Sequence, residues 1–196
     1  MLEGRKIYIF DIETIGNIRS TNFVENMEVT VVGVYSFKDG EYHAYFRQDL
    51  DELATELKDA EMLIGYNNDH FDTPILNKYM PFDLTSIASL DIMKELQEEI
   101  GHRVGLNSVA GASLGDYKSA SGKEAMVMWE EGRLEELKKY CLDDVKLTKE
   151  VFDFAYAQKK LNYTSKDGWQ RIQVPMEWDI NKMIEERSNK SQYSLW

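Results

Sequence analysis

The sequence predicts an α/β domain in which a mixed β-sheet is flanked by helices. Three segments rich in valine, isoleucine and aromatic residues come first, and the turn signal Lys38-Asp39-Gly40 separates the second from the third. This order predicts an antiparallel three-strand meander. Shorter apolar segments then alternate with helical patterns, which is typical of parallel strands joined by crossovers. The 196 residues are enough for one sizeable core.

Residue patterns place the individual strands and helices. We predict strands at residues 6–13, 28–37, 41–46 and 61–66, and a further strand or extended segment at 89–92. Asp49 is a plausible N-cap for a helix whose apolar face is Leu50, Leu53 and Leu57. Residues 73–74 carry a proline in a helical first turn. Short helices are predicted at 106–114 and 123–131.

The strongest helical pattern runs over residues 134–157. Its apolar stripe, at three- and four-residue spacing, consists of Leu134, Leu137, Cys141, Val145, Thr148 and Phe152. The pattern weakens after Lys159, where Trp169, Trp178 and Trp196 are isolated in polar sequence. We therefore predict one domain over residues 1–160 and an extension over 161–196 that packs on its surface or is partly flexible.

The net charge of −12, from 23 basic and 35 acidic residues, argues against a general nucleic-acid binder, because an acidic body repels a polyanion. A nucleic-acid function would therefore depend on divalent metals and a local contact surface; the alternative interpretation is that the charge only keeps the protein soluble. The single cysteine excludes a disulfide framework and favours a cytoplasmic location. No signal peptide or membrane span is predicted, because Asp11 interrupts the short apolar stretch near the N-terminus.

Two carboxylates lie at the end of the first predicted strand. Side chains alternate along a strand, so Asp11 and Glu13 point to the same side as Ile7 and Ile9. Two like charges next to apolar residues are unfavourable without a compensating cation, which suggests a metal site. The alternative is that the strand ends before Asp11 and both acids face water.

Two further acidic positions follow in later elements. Asp72 comes after the strand at 61–66, where it is either functional or an ordinary N-cap. Tyr140 and Asp144 lie one turn apart on the long helix, beside its apolar stripe. The alternative for this pair is a solvated surface contact. Asp143 points about 100° away and is predicted to be solvated.

These motifs, in this order, resemble the DEDD exonuclease superfamily in its tyrosine variant. The resemblance is to the proofreading domains of family B DNA polymerases and to predicted exonucleases fused to helicases, and it covers residues 6–157. Further matching positions are Asn67, the segment His102-Arg103-Val104-Gly105-Leu106, Trp129 and the segment Glu131-Gly132-Arg133-Leu134.

The resemblance implies a ribonuclease H-like fold and a two-metal 3′→5′ exonuclease that uses Mg²⁺ or Mn²⁺. It implies that Asp11 bridges both ions, that Glu13 and Asp144 complete the site of the attacking water, and that Asp72 holds the second ion. Tyr140 would orient the water. The implied partner is nucleic acid with a free 3′ end, single-stranded DNA slightly ahead of RNA, and the implied protein partners are replication or repair proteins.

Substrate contacts are also predicted by resemblance. The backbone amides of Thr14 and Ile15 would receive the terminal 3′-OH, while Asn67, Asn68 and Phe71 would line the terminal nucleotide. Phe71 has the alternative of plain core packing. The basic residues Arg103, Lys118 and Lys123 would meet phosphates or belong to a solvated loop. The histidines His43, His70 and His102 are interpreted as structural or peripheral, and Cys141 as an inert buried thiol.

Two other functions remain open at this point. The acidic charge is compatible with a nucleic-acid-binding or interaction module that retains the fold and has lost activity. The same carboxylates would also serve an oligoribonuclease-like hydrolase of small nucleotides.

Overall fold

A computed structural model describes residues 2–115 and 122–193. Its main sheet has five strands in the order β3-β2-β1-β4-β5. The pairs β1–β2 and β2–β3 are antiparallel, whereas β1–β4 and β4–β5 are parallel. The predicted mixed sheet flanked by helices is therefore confirmed.

The strands are β1 Ile7–Gly16, β2 Met27–Ser36, β3 Glu41–Phe46, β4 Met62–Gly65, β5 Ala88–Asp91, β6 Lys160–Thr164 and β7 Arg171–Pro175. The helices are α1 Phe23–Asn26, α2 Leu50–Leu57, α3 Asp72–Asn77, α4 Ile92–Ile100, α5 Leu106–Leu114, α6 Gly122–Glu130, α7 Leu134–Gln158 and α8 Ile180–Tyr193. No helix within these described ranges is both long and apolar enough to cross a bilayer.

Strand β1 separates two hydrophobic cores. Ile7 and Ile9 belong to the core beneath α5 and α7, whereas Tyr8, Phe10 and Ile12 belong to the core beneath α2 and α3. This is the alternation that the sequence predicts. Asp11 and Glu13 follow the phase of the first set, so both acids lie on the α7 side of the sheet.

Helix α7 lies directly against β2 because the strand offers a glycine at the contact. A Cβ at Gly33 would be 2.8 Å from Val145 Cγ2 and 3.0 Å from Cys141 Sγ. Cys141 and Val145 are fully buried, as is Phe152 further along the predicted stripe. Leu134, at the start of the stripe, is 38% exposed, because it lies in the first turn of the helix, before the contact with the sheet.

The structure corrects the prediction after β5. Asp91 ends the strand and caps a helix, α4, that the sequence analysis did not identify; its side chain accepts hydrogen bonds from the backbone N–H groups of Met93 and Lys94. Asp49, in contrast, precedes α2 as predicted, but its side chain makes no capping hydrogen bond.

The segment after Lys159 is more regular than predicted. Strands β6 and β7 form an antiparallel hairpin, and α8 follows. Leu161, Val174 and Trp178 are buried in the same core as β1 and α7, so this segment packs on the domain. Trp196 lies outside the described residues, and the domain boundary near residue 160 stays a prediction.

Candidate active site

Strand β1 and helix α7 bring three potential ligand side chains together. A carboxylate oxygen of Asp11, one of Glu13 and Sγ of Cys141 all lie within 4.8 Å of one another. Glu13 is 8% exposed and Cys141 is fully buried, while Asp11 is partly exposed. The acidic pair therefore lies at the edge of the core and remains open to solvent at Asp11.

Asp72 approaches this pair from the start of α3. Its Oδ1 accepts a hydrogen bond from the backbone N–H of Ile12, between the two acids, at 3.1 Å. The Asp72 side chain is buried. The hydrogen bond fixes the first turn of α3 against the end of β1, although the two segments are 60 residues apart in sequence.

Helix α7 contributes the phenol and the fourth carboxylate. The Tyr140 hydroxyl is hydrogen-bonded to the Asp144 carboxylate, as expected for residues one helical turn apart. The negative charge of Asp144 acts on both Asp11 and Glu13. Asp143, in contrast, is exposed and pairs with Lys139, as the helical geometry predicts.

Burial raises the pKa values of all four carboxyl groups, and repulsion from the other members of the cluster adds to this at Asp11 and Glu13. Desolvation is the largest cause in every case. It raises the pKa of Glu13 to about 8, that of Asp72 to about 7 and that of Asp144 to about 6. The pKa of Asp11 lies well above its usual range, because the charges of Asp72, Glu13 and Asp144 add to desolvation.

Burial and neighbouring negative charge favour the protonated forms of these groups. A bound divalent cation would favour the ionised forms of all four groups. Carboxylate oxygens are the ligands that hard cations such as Mg²⁺ and Mn²⁺ prefer, so the donor set fits such ions.

Cys141 is the member of this cluster that the sequence analysis placed only in the apolar stripe. Its Sγ–H donates to the backbone carbonyl of Asp11 at 3.6 Å. Burial, together with the charges of Asp11 and Glu13, raises the pKa of the Cys141 thiol well above its usual value. A protonated thiol is a poor metal ligand, so Cys141 acts as a packing contact between α7 and β1.

The loop between β4 and α3 is organised by Asp91, a residue that the sequence analysis missed. The Asp91 carboxylate accepts hydrogen bonds from the backbone N–H groups of Asn67 at 2.8 Å and Asp69 at 3.1 Å, in addition to capping α4. Asn67 has a left-handed backbone, with φ of 70°, a conformation that asparagine tolerates better than most residues. The sequence feature that could have identified Asp91 is its position as an aspartate at the end of an apolar strand.

The predicted substrate contacts lie in two places. Thr14 and Ile15 are partly buried at the end of β1. Asn67 accepts a hydrogen bond from Arg103 through its side chain. Asn68, however, is fully buried, and its Nδ2 donates to Ser89 Oγ at 3.0 Å. Its side chain therefore stabilises the loop from the protein interior.

Phe71 is only partly buried and stacks on Phe23, with ring centroids 5.9 Å apart and planes 3° apart. It therefore has a packing partner and some free surface. Lys118 lies outside the described residues, as does the side chain of Lys123.

The three histidines lie in ordinary surroundings. His43 pairs with Asp39 at 3.3 Å, His70 packs near the Phe23 ring, and His102 contacts the carbonyl of Ile100.

A family model described as the RNase_H superfamily matches residues 8–156, which is most of the chain and contains all four carboxylates. The chain belongs to the RNase H superfamily. This RNase H superfamily domain is also 32% identical over 75 residues to the DNA-directed DNA polymerase of Enterobacteria phage T3. That alignment covers 36% of the chain and 11% of the polymerase.

Among solved structures, the domain is similar to the family B DNA polymerase from the hyperthermophilic archaeon Pyrobaculum calidifontis. The TM-score is 0.58 at 19% identity, over 76% of this chain and 24% of the polymerase. At this identity the likeness describes the fold alone. The chain thus corresponds to a small part of each polymerase, and its assignment to the RNase H superfamily rests on the family-model match.

Proposed function

We propose that this protein is a metal-dependent 3′→5′ exonuclease of the tyrosine DEDD type. It would hydrolyse phosphodiester bonds at the 3′ ends of nucleic acid, with single-stranded DNA favoured over RNA. The observation that supports this most is the convergence of Asp11, Glu13, Asp72 and Asp144, from β1, α3 and α7, on one partly buried site. Like charges that are close together in a partly buried site destabilise the fold unless a cation compensates them.

The four carboxylates would hold two divalent ions, Mg²⁺ or Mn²⁺, with Asp11 shared between them. When bound, the ions lower the pKa of a coordinated water and neutralise charge on the phosphate. The chain supplies the fixed geometry: Asp72 is held by the Ile12 N–H, and Asp11 and Glu13 are held by the β1 ladder. The superfamily membership supports a divalent-metal site, and the close approach of the Asp11 and Glu13 carboxylates supports these two as ligands.

Tyr140 would orient the attacking water and would not remove its proton. Desolvation and the surrounding carboxylates raise the pKa of the Tyr140 phenol far above neutral pH, so the hydroxyl stays protonated. The hydroxyl donates a hydrogen bond to Asp144, and because a phenolic oxygen is an acceptor as well as a donor, it would accept a hydrogen bond from the attacking water.

The substrate terminus would lie between the end of β1 and the loop after β4. The backbone amides of Thr14 and Ile15 would receive the 3′-OH, and the exposed part of Phe71 would contact the terminal base. Asn67 would contact the nucleotide through a loop that Asp91 holds in place. Asn68 would act indirectly, through the shape of that loop.

The direct test uses a 5′-labelled single-stranded oligonucleotide with Mg²⁺ or Mn²⁺. The wild-type protein is expected to give a ladder that shortens from the 3′ end, and a 3′-phosphate or a circular substrate should block it. Asp144→Asn should abolish the ladder, while Asp143→Asn, its exposed neighbour on α7, should not. A ladder that persists in Asp11→Asn would contradict the proposal.

The same assay separates the two other functions. Binding of the oligonucleotide without cleavage in either metal would indicate an inactive binding module. Cleavage restricted to di- to pentanucleotides would indicate a small-nucleotide hydrolase.

A further inference from the structure

A cavity of about 440 Å³ lies between the segment before α5, the first turns of that helix, and the β6–β7 turn. The charged residues among those that line it are Arg103 and Lys166, and His102 lies beside them. Both charged residues are basic, in a chain whose net charge is −12. A concave surface lined by one sign of charge concentrates ions of the opposite sign, so this cavity favours an anion.

The charge of this cavity differs from that of a similar one elsewhere on the molecule. A cavity of about 460 Å³ at the β5 edge has Lys94 and Arg187 among its lining residues, but also Asp69 and Glu186. Its charges therefore balance, and Lys94 is paired with Asp69 at 2.9 Å. The cavity beside α5 differs from this one, because its charged lining residues are all basic.

The local structure holds the basic groups in place. The N-cap of α5 is Gly105, which brings no side-chain acceptor to the first turn, and the N-terminal end of a helix favours an anion. Ser108 Oγ, in that turn, accepts a hydrogen bond from the backbone N–H of Thr164 at 3.2 Å. The hairpin carrying Lys166 is thus fixed to the start of α5.

The same hairpin presents an aromatic side chain to solvent. Trp169 is 88% exposed, in a turn closed by hydrogen bonds from Ser165 N to Gln170 O and from Gly168 N to Ser165 O, both 2.8 Å. Tryptophan is highly buried on average, and this exposed ring is accessible for stacking on a base.

The acidic residue of this turn, Asp167, makes hydrogen bonds within the turn. Asp167 accepts hydrogen bonds from the Ser165 hydroxyl and from the backbone N–H of Trp169. The hydrogen bond from Ser165 lowers the pKa of Asp167, so its exposed carboxylate keeps its negative charge. Lys166 and Trp169 are the side chains of the turn that would contact nucleic acid.

Two hydrogen bonds join the cavity to the loop beside the carboxylates. Arg103, which lines the cavity, donates to the side chain of Asn67. The Tyr66 hydroxyl donates to the carbonyl of Val104 at 2.7 Å. The loop that begins with Tyr66 and Asn67 leads to Asp72, so one short loop connects the residues that line the cavity with the candidate active site.

We propose that the cavity and the β6–β7 turn form an accessory site for single-stranded nucleic acid. Arg103, Lys166 and His102 would bind backbone phosphates, and Trp169 would stack on a base. The inference rests on the proposed exonuclease function: with the 3′ end among the carboxylates, the accessory site holds the strand on the 5′ side of the cut. It also explains how an acidic protein would retain a polyanion, through one basic surface and the bound ions.

The test measures binding separately from cleavage. Anisotropy of a labelled 12-nucleotide single-stranded DNA is recorded with Asp11→Asn protein in EDTA, so that no hydrolysis occurs. Trp169→Ala is expected to weaken binding about tenfold and Trp169→Phe much less, because the phenyl ring retains a stacking face. Lys166→Ala should weaken binding several-fold and lower the salt dependence by about 0.7 in the log–log slope.

Lys58→Ala is the matched control, because Lys58 is an exposed lysine that follows α2, over the opposite core. Affinity close to that of the parent in Lys166→Ala and Trp169→Ala would overturn the inference, as would an equal loss in Lys58→Ala. In cleavage-competent protein, Trp169→Ala should lower kcat/KM for the 12-mer relative to a trinucleotide. Absence of cleavage by the wild-type protein would overturn the exonuclease proposal instead. The comparison of binding affinities would still test the accessory site, because it does not depend on cleavage.

Discussion

Raising the pH from 5 to 8 is expected to destabilise the metal-free protein through Glu13. Burial raises the pKa of Glu13 from 4.5 to about 8, so the folded state disfavours its ionised form. Below pH 4.5 the group is protonated in both states and has no effect. Above pH 4.5 the unfolded chain releases the proton while the folded chain keeps it. The free energy of unfolding therefore falls until the pH reaches about 8.

The expected size of this loss follows from the same values. At 1.36 kcal/mol per pKa unit, Glu13 alone accounts for on the order of 3 kcal/mol between pH 5 and pH 8. For a domain of this size that corresponds to a fall of roughly 6–12 °C in Tm. Glu13→Gln removes the titration, so the variant should be more stable than the wild type at pH 8 and nearly equal to it at pH 5.

Urea denaturation followed by circular dichroism, in EDTA at four pH values, measures the difference. The control is Glu99→Gln, an exposed acid on α4, which should follow the wild type at every pH. Addition of Mg²⁺ or Mn²⁺ should restore stability to the wild type at pH 8 and have less effect on Glu13→Gln. A wild type that is as stable at pH 8 as Glu13→Gln would refute the reasoning.

Three further substitutions test the supports of the site. Gly33→Ala should lower the free energy of unfolding by about 1–3 kcal/mol, because the new Cβ would lie 2.8 Å from Val145 Cγ2; Gly111→Ala, where a Cβ meets nothing within 4 Å, should not destabilise in the same urea titration. Asp91→Ala removes the acceptor for four backbone N–H groups and should cost about 2–4 kcal/mol; a loss under 1 kcal/mol would contradict that role. Tyr140→Phe should lower kcat about 10- to 100-fold through loss of water positioning, with little change in thermal stability, and an unchanged kcat would exclude the phenol from that role.

The elements that build the site were predictable because their signals are local. The alternation along β1 gave the facing of Asp11 and Glu13, and the spacing along α7 gave the shared face of Tyr140 and Asp144. The close approach of Cys141 to the acidic pair was not predictable, because it depends on how α7 packs against the sheet.

The misses have physical reasons too. The sequence contained two signals for helix α4, an aspartate at the N-cap position, Asp91, and a glycine at the C-cap position, Gly101. The short apolar start of the helix, however, resembled a strand. Two of the four hydrogen bonds of Asp91 link segments more than 20 residues apart, and the spacing of apolar residues in a sequence does not predict such contacts. The β6–β7 hairpin was missed because its strands around the Asp167-Gly168 turn are short. Its apolar residues pack against residues that are distant in the sequence, so no local pattern indicates their burial.

A shift in the β1–β2 register separates the part of β1 that carries Asp11 and Glu13 from the loop that follows the strand. Residues Tyr8 to Glu13 pair regularly with Ser36 to Val31, and the register shifts only between Glu13 and Thr14. Thr30 is the extra residue on β2, and its hydroxyl donates to the carbonyl of Glu13 at 2.9 Å. Insertions or deletions in residues 17–26 would therefore be absorbed beyond this point, so that the β1–β2 connection is free to diverge in length while both acids keep their orientation.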